Sequence, residues 1–250
     1  MSSDRFYLPV LGETGDMLAI EGSEHKHLAV VLRMKPGAVV RVTDGAGREV
    51  EALVLTIDRN RTLVKIISER LEPVESSLDL RLAFTPLRSR VDEEMVRVAV
   101  ELGVTFFQPV TAERMLGPAP LAGTARLERY RKVAVAALKQ SGRRLLPGWL
   151  PAVTPLEAVR NCRRDGVVLL IDPGGGPFPR HDPGSQSIAV TVCIGPEGGF
   201  TDGEVKDMTA AGAGMVHLGP RILRAPHAAA AALVLAQYHW GDLNPSTSGR

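Results

Sequence analysis

Ile188-Ala-Val-Thr-Val-Cys-Ile-Gly-Pro-Glu-Gly-Gly-Phe200, followed by Leu218-Gly-Pro-Arg-Ile-Leu-Arg224, is the part of the chain whose reading decides the fold. Each stretch runs from an apolar strand pattern through a glycine-bearing turn into a helix pattern. Glycine permits positive φ and lets a ligand approach the main chain closely. The N–H groups at a following helix start can hold polar ligand atoms. Two such turns predict a pocket walled by backbone; the plainer reading is a pair of ordinary turns between strands and helices. The first turn is not a P-loop, because no Gly-Lys-Ser/Thr follows it. Its glycines and Pro196 are also misplaced for the spaced-glycine dinucleotide fingerprint. Thr201 with Glu204 three residues on has the form of a capping box. Glu197 fits either a catalytic carboxylate or a hydrogen-bond brace.

Outward from this stretch, strands and helices alternate. Strands are predicted at 78–84, 104–110, 167–171, 188–194 and 215–218. Helices are predicted at 91–102 (ended by Gly103), 124–141, 155–164, 201–211 and 226–240, with a Gly/Pro surface loop at 172–184. Such alternation implies an α/β fold on a largely parallel sheet. The beginning of the chain reads differently, as strands at 38–43, 49–57 and 61–68. Asp44-Gly45 and Arg59-Asn60 supply turns, and one helix is capped by Ser23 with Leu28, Val31 and Leu32 at helical spacing. This pattern suggests a small β-barrel. The expected division is a barrel over 1–72, a linker over 73–77, the α/β domain over 78–243 and a polar tail over 244–250.

The 250 residues are 44% hydrophobic and 23% charged, ordinary for a globular chain with a sizeable core. A net charge of +2 excludes a strongly basic molecule. Cys162 and Cys193 fit no metal spacing, and buried thiols in a reducing compartment are expected. No metal site, membrane span or signal-peptide pattern is seen, so a cytoplasmic location is expected.

Charge concentrates in one place. Between residues 126 and 144 stand Arg126, Arg129, Arg131, Lys132, Lys139, Arg143 and Arg144 against Glu128 alone. A helix of this kind can track a phosphate backbone, although a solvated face gives the same pattern. His25, Lys26 and Arg33 could extend such a surface. Arg221 and Arg224 suit phosphate or carboxylate partners. Pro226 reads as the first helical position. His227 then sits in the first turn, where the helix dipole favours a neutral ring able to accept a proton.

Taken together, the motifs resemble the bacterial 16S ribosomal RNA (uracil-N3) methyltransferases, the RsmE family within the SPOUT methyltransferases. Arg5-Phe-Tyr7, His27-Leu-Ala-Val-Val-Leu-Arg33, Pro36-Gly37 and Asp44-Gly45 are similar to that family's N-terminal PUA-like barrel. Glu101-Leu-Gly-Val104, Gln108-Pro109, Glu113-Arg114, Lys139-Gln-Ser-Gly-Arg143 and the two late turns follow in the family's order. The resemblance implies a C-terminal α/β domain threaded as a trefoil knot, and S-adenosylmethionine as cofactor. It would be held by Leu170, Ile194, Gly195, Pro196, Glu197, Gly198, Gly199, Leu218, Gly219, Arg221, Ile222 and Leu223. It also implies a homodimer that methylates N3 of a uridine in 16S rRNA of the 30S subunit, with no membrane partner. Arg224 and His227 become candidate catalytic residues. Arg33, Arg129, Lys132, Lys139, Gln140 and Arg143 become candidate RNA contacts. Two departures stand out: Ala225-Pro-His-Ala228 replaces the usual Thr/Ala-Glu/Ser-Thr-Ala, and Val98 stands where a lysine is common. They motivate the alternatives of a non-catalytic rRNA-binding or ribosome-assembly protein, or an enzyme acting on another nucleoside.

Overall fold

The computed structural model describes residues 4–87, 91–116, 124–163, 166–179 and 189–244. Residues 245–250 of the predicted tail and 180–184 of the predicted loop lie outside them. The chain forms two compact units, Met1–Glu75 with Val135–Leu146, and Ser76–Ala134 with Pro147–Arg250.

The first unit is a five-stranded mixed half-barrel. Its strands are β1 (Arg5–Tyr7), β2 (Met17–Glu21), β3 (Val39–Thr43), β4 (Glu49–Ile57) and β5 (Arg61–Glu69), in the order β1-β3-β4-β5-β2. Register shifts in β4 against β5, between Glu51 and Ala52 and again between Val54 and Thr56, bend the sheet around its core. Inward residues of alternating strands (Phe6, Ile20, Val40, Val42, Val54, Val64, Ile66) fill that core together with Leu28. The Asp44-Gly45 turn forms as predicted: the Asp44 carboxylate accepts from the N–H groups of Ala46 (2.8 Å) and Arg48 (3.0 Å).

The early helix corrects the sequence reading. Helix α1 (Gly22–Lys26) starts directly from β2 with Glu21 at the N-cap position, so Ser23 lies inside it and caps nothing. The chain then widens into a π-helical turn, His27–Val31, where the Leu32 N–H donates to the His27 carbonyl at 2.9 Å. The wider turn breaks the expected spacing: Leu28 is buried, whereas Val31 is 65% exposed. Arg33, at φ +51, closes the turn, with the Met34 N–H donating to the Leu28 carbonyl at 3.1 Å. This is a left-handed C-cap position where glycine is usual.

One carboxylate anchors this unit. Glu49 is 1% exposed and meets Arg5 (2.5 Å), Arg70 (3.6 Å) and Arg144 (3.9 Å). A buried carboxylate is tolerated only when so paired.

The second unit is built on a parallel sheet of six strands. They are β6 (Asp79–Phe84), β7 (Val104–Pro109), β8 (Gly148–Trp149), β9 (Gly166–Gly176), β10 (Ala189–Ile194) and β11 (Gly214–Val216), ordered β11-β9-β10-β6-β7-β8. Every residue of β10 is buried, in keeping with a run that is apolar except for Thr191. β9 runs past the predicted end at Ile171, through Asp172-Pro-Gly-Gly-Gly176, to pair Gly176 with Val216. The glycines make this extension possible, since a Cβ at Gly175 would lie 2.5 Å from the Val216 backbone.

Five helices complete the second unit's elements: α2 (Val91–Glu101), α3 (Ala125–Ser141), α4 (Pro155–Arg163), α5 (Asp202–Ala210) and α6 (Ala225–Trp240). Only the first part of α3 belongs to this unit. α2 packs on α6, α4 on α5 and β9, and α6 on β10. Buried Gln237 of α6 ties element ends together: its amide donates to the Leu102 carbonyl (2.8 Å), and its carbonyl accepts from Ser76 Oγ (2.9 Å). A Cβ at Gly103 would come within 2.6 Å of that amide.

Candidate active site

Parallel sheets place ligands beyond the carboxyl ends of their strands. A cleft of about 720 Å³ opens there in the second unit, beside the ends of β6 and β10 and along β9. Its wall is the whole glycine-rich turn, 194–200, together with Ile222, Leu223, Arg224, Ala225, Pro226 and Ala228. The first of the two stretches singled out in the sequence therefore meets the Ile222–Arg224 end of the second. Leu87, Val91, Ile171, Asp172 and Pro173 supply the remaining wall. These five carry no motif, and no signal in the sequence marks them.

The turn is shaped locally. Gly199 has φ +68 with nothing within 4 Å of a built Cβ, while a Cβ at Gly195 would press on the Phe200 ring at 3.1 Å. The Gly199 N–H donates to the Pro196 carbonyl at 2.9 Å. The predicted capping box is present: Thr201 N–H donates to Glu204 Oε2 (2.7 Å) and Glu204 N–H to Thr201 Oγ1 (3.2 Å). Glu204 also accepts from the Glu113 N–H (2.8 Å).

The other predicted pocket residues fall elsewhere. Leu170 is fully buried, packed with Cys193 and Phe200 in the core. Leu218, Gly219 and Arg221 lie outside the cleft wall. Arg224 lines the cleft with an exposed side chain and is the N-cap residue of α6, with Pro226 in the first turn. His227 is exposed and not part of the wall.

Next to Val91 in the chain, Asp92 belongs to a buried polar pair. The Tyr130 hydroxyl donates to Asp92, and Tyr130 stacks on Trp149 (5.5 Å), which stacks on Phe107 (4.5 Å). Burial pushes the Asp92 carboxyl above the ordinary carboxylate range despite that hydrogen bond, and burial with the neighbouring Asp92 raises the Tyr130 phenol.

The basic segment is largely neutralised. Lys139 pairs with Glu24 (2.6 Å) and Arg143 with Glu75 (2.8 Å), both mostly buried. Arg144 meets Glu72 at 3.5 Å as well as Glu49. Arg129 pairs with Glu93 (3.2 Å) and Arg131 with Glu128 (2.8 Å). Lys132, Gln140 and Arg33 are exposed. Of the six candidate RNA contacts, Arg33, Lys139, Gln140 and Arg143 lie in the first unit, and Arg129 and Lys132 in the second.

The cleft fits a nucleoside-sized ligand in volume, in its apolar wall and in its backbone-rich turn. Among the described residues no cluster suits a metal ion, and no helix is long and apolar enough to cross a membrane.

Comparison with known proteins agrees with this fold. Residues 74–237 match the RNA methyltransferase domain family, and residues 20–67 match the RNA methyltransferase PUA domain. A Synechocystis protein named ribosomal RNA small subunit methyltransferase E is 31% identical over 218 residues, covering 83% of this chain and 68% of that protein. The crystal structure of a ribosomal RNA small subunit methyltransferase E from Neisseria gonorrhoeae, bound to S-adenosyl methionine, is also similar. It superposes with a TM-score of 0.86 at 31% identity, covering 96% of this chain and 98% of that one. A Legionella pneumophila methyltransferase in complex with the same cofactor gives 0.87 at 28% identity, with 96% and 99% coverage. From the match along most of its length, this chain belongs to the RNA methyltransferase family, with that family's PUA domain in its N-terminal part.

Proposed function

We propose that the protein methylates N3 of a uridine in 16S rRNA of the small ribosomal subunit, using S-adenosylmethionine. The observation that carries this reading is the meeting, on one cleft, of the whole 194–200 turn with the Ile222–Arg224 end of the second motif. Relatives solved with that cofactor support it. The residues proposed to hold the cofactor are Ile194, Gly195, Pro196, Glu197, Gly198, Gly199, Ile222 and Leu223, all in the cleft wall. When bound, it supplies an electrophilic methyl group.

The chain's own task is alignment and charge. Leu87, Val91 and Pro226 give the cleft an apolar side against which a base could lie. N3 of uracil carries a weakly acidic proton on the pairing edge, so the base must be unpaired and its developing anion stabilised. Arg224, on the cleft wall, is the residue proposed for that stabilisation. His227, the proton acceptor suggested by the sequence, lies outside the cleft wall, so no described side chain is assigned that role. Exposed Arg33 and Lys132 are the RNA contacts best placed to meet phosphate.

A homodimer working in the cytoplasm completes the proposal. Exposed Ile222, Val234 and Tyr238 are apolar surface that a second copy would cover. Light scattering on the pure protein tests the dimer.

The central test is methyl transfer to purified 30S subunits lacking the mark, read by mass spectrometry of the digested rRNA. Arg224→Ala is expected to lower kcat about 100-fold while cofactor Kd stays within about 3-fold. The Ala225-Pro-His-Ala228 segment favours a second reading, a binder without turnover. In that case no N3-methyluridine forms, and Arg224→Ala alters only rRNA affinity.

A further inference from the structure

We propose that Arg114 is a positioning residue for the methyl donor, holding the glycine-rich turn in the shape that faces the cleft. This rests on reading the cleft as the cofactor site. Arg114 reaches the turn from a separate segment of the chain. Its Nη1 donates to the carbonyls of Gly198 (3.0 Å) and Phe200 (3.2 Å). Its aliphatic stem lies against Gly198, where a Cβ would sit 3.6 Å from Arg114 Cβ and Cδ. The residues just before it are fixed as well. Ala112 is buried in the core beside Phe200, and the Glu113 N–H is held by Glu204.

The turn needs such a brace. It contains three glycines, which lose more conformational freedom on ordering than any other residue. Two of its peptide units are anchored at both ends. In the 198–199 unit the carbonyl goes to Arg114 and the N–H to Pro196. In the 200–201 unit the carbonyl goes to Arg114 and the N–H to Glu204. Between them stands the 199–200 unit, whose carbonyl and N–H have no hydrogen-bond partner among the described residues, and both Gly199 and Phe200 line the cleft. Arg114 therefore clamps the peptides on either side of the one left open to a ligand. Charge-assisted bonds from a guanidinium suit this role, since one rigid group sets two carbonyls at once.

The test uses the full chain carrying Arg114→Ala or Arg114→Lys, with S-adenosylmethionine binding followed by calorimetry and amide exchange followed by mass spectrometry. Arg114→Ala is expected to weaken binding about tenfold and to speed exchange in the peptide spanning 195–201, with other core peptides unchanged. Arg114→Lys, which keeps a charged donor, is expected to recover about half of that loss on a logarithmic scale. Wild-type protein that gives no heat with the cofactor would sink the cofactor reading itself. Wild-type binding, with Arg114→Ala binding within about twofold and exchange in the turn unaltered, would overturn the assignment of Arg114 alone.

Discussion

Arg33 holds a left-handed conformation, φ +51, at the end of the π-helical turn, and no other non-glycine residue among those described does so. A side chain there costs about 1 kcal/mol relative to glycine. Arg33→Gly is therefore expected to stabilise the protein by about 1 kcal/mol in urea denaturation, while lowering affinity for small-subunit rRNA if the exposed guanidinium meets phosphate. Asp92 gives a second test. Its carboxyl is raised by burial, so its ionisation opposes folding: relative to Asp92→Asn, wild-type stability falls as pH rises from the ordinary value of 3.8 to the raised one, and is level above it. Thermal melts of both proteins across that range check the sign. At this scale the sequence picked out Gly195, Gly198, Gly199 and Arg224, which line the cleft, because each sits in a motif; Gly219, picked out likewise, lies outside the wall. It misplaced Leu170 by one position. Side chains alternate across a strand, so Leu170 enters the core and Ile171 the cleft. It also counted Lys139 and Arg143 as available charge, since their partners Glu24 and Glu75 are remote in sequence.

Among the elements, helix α5 was the easiest to read, because a capping box is local in sequence. Thr201→Ala is expected to cost about 1 kcal/mol. Glu204→Ala should cost more, about 2–3 kcal/mol, because the Glu113 N–H is orphaned along with the cap. Equal losses in the two variants, measured by urea denaturation, would show that the Glu113 contact contributes nothing. Most of the elements that escaped prediction are short or irregular; five-residue β2 is neither, but only Ile20 of it is buried, so its alternation is faint. β1 has three residues and β8 two, too few for any period to register. The π-helical turn cannot be read from 3.6-residue spacing, which is why Val31 was misassigned, while Ser23 was misassigned because α1 starts directly from β2 at Gly22. The extension of β9 hid behind a Pro/Gly run that normally signals a loop.

In the whole molecule, the first unit is discontinuous. It takes Val135–Leu146, although the helix pattern runs unbroken across Ala134 and Val135. No local signal marks such a division, because the contacts that join this segment to the unit, ion pairs among them, are distant in sequence. Residues 1–77 alone would lack Lys139, Arg143 and Arg144, stranding Glu24, Glu75 and part of the Glu49 cluster. Stripping a buried ion of its partner costs about 3–5 kcal/mol, against a typical net stability of about 5–15 kcal/mol. The fragment is expected to be unfolded by circular dichroism; a dispersed amide NMR spectrum would show otherwise. The order of synthesis gives this arrangement a temporal consequence. A translating ribosome must add 71 further residues after Glu75 before Leu146 emerges. At about 5–20 residues per second the earliest-made strands wait roughly 4–14 s with their acidic side chains unsatisfied. The nascent half-barrel is thus open to chaperones, and to premature cleavage, until the last turns of a much later helix arrive to close it.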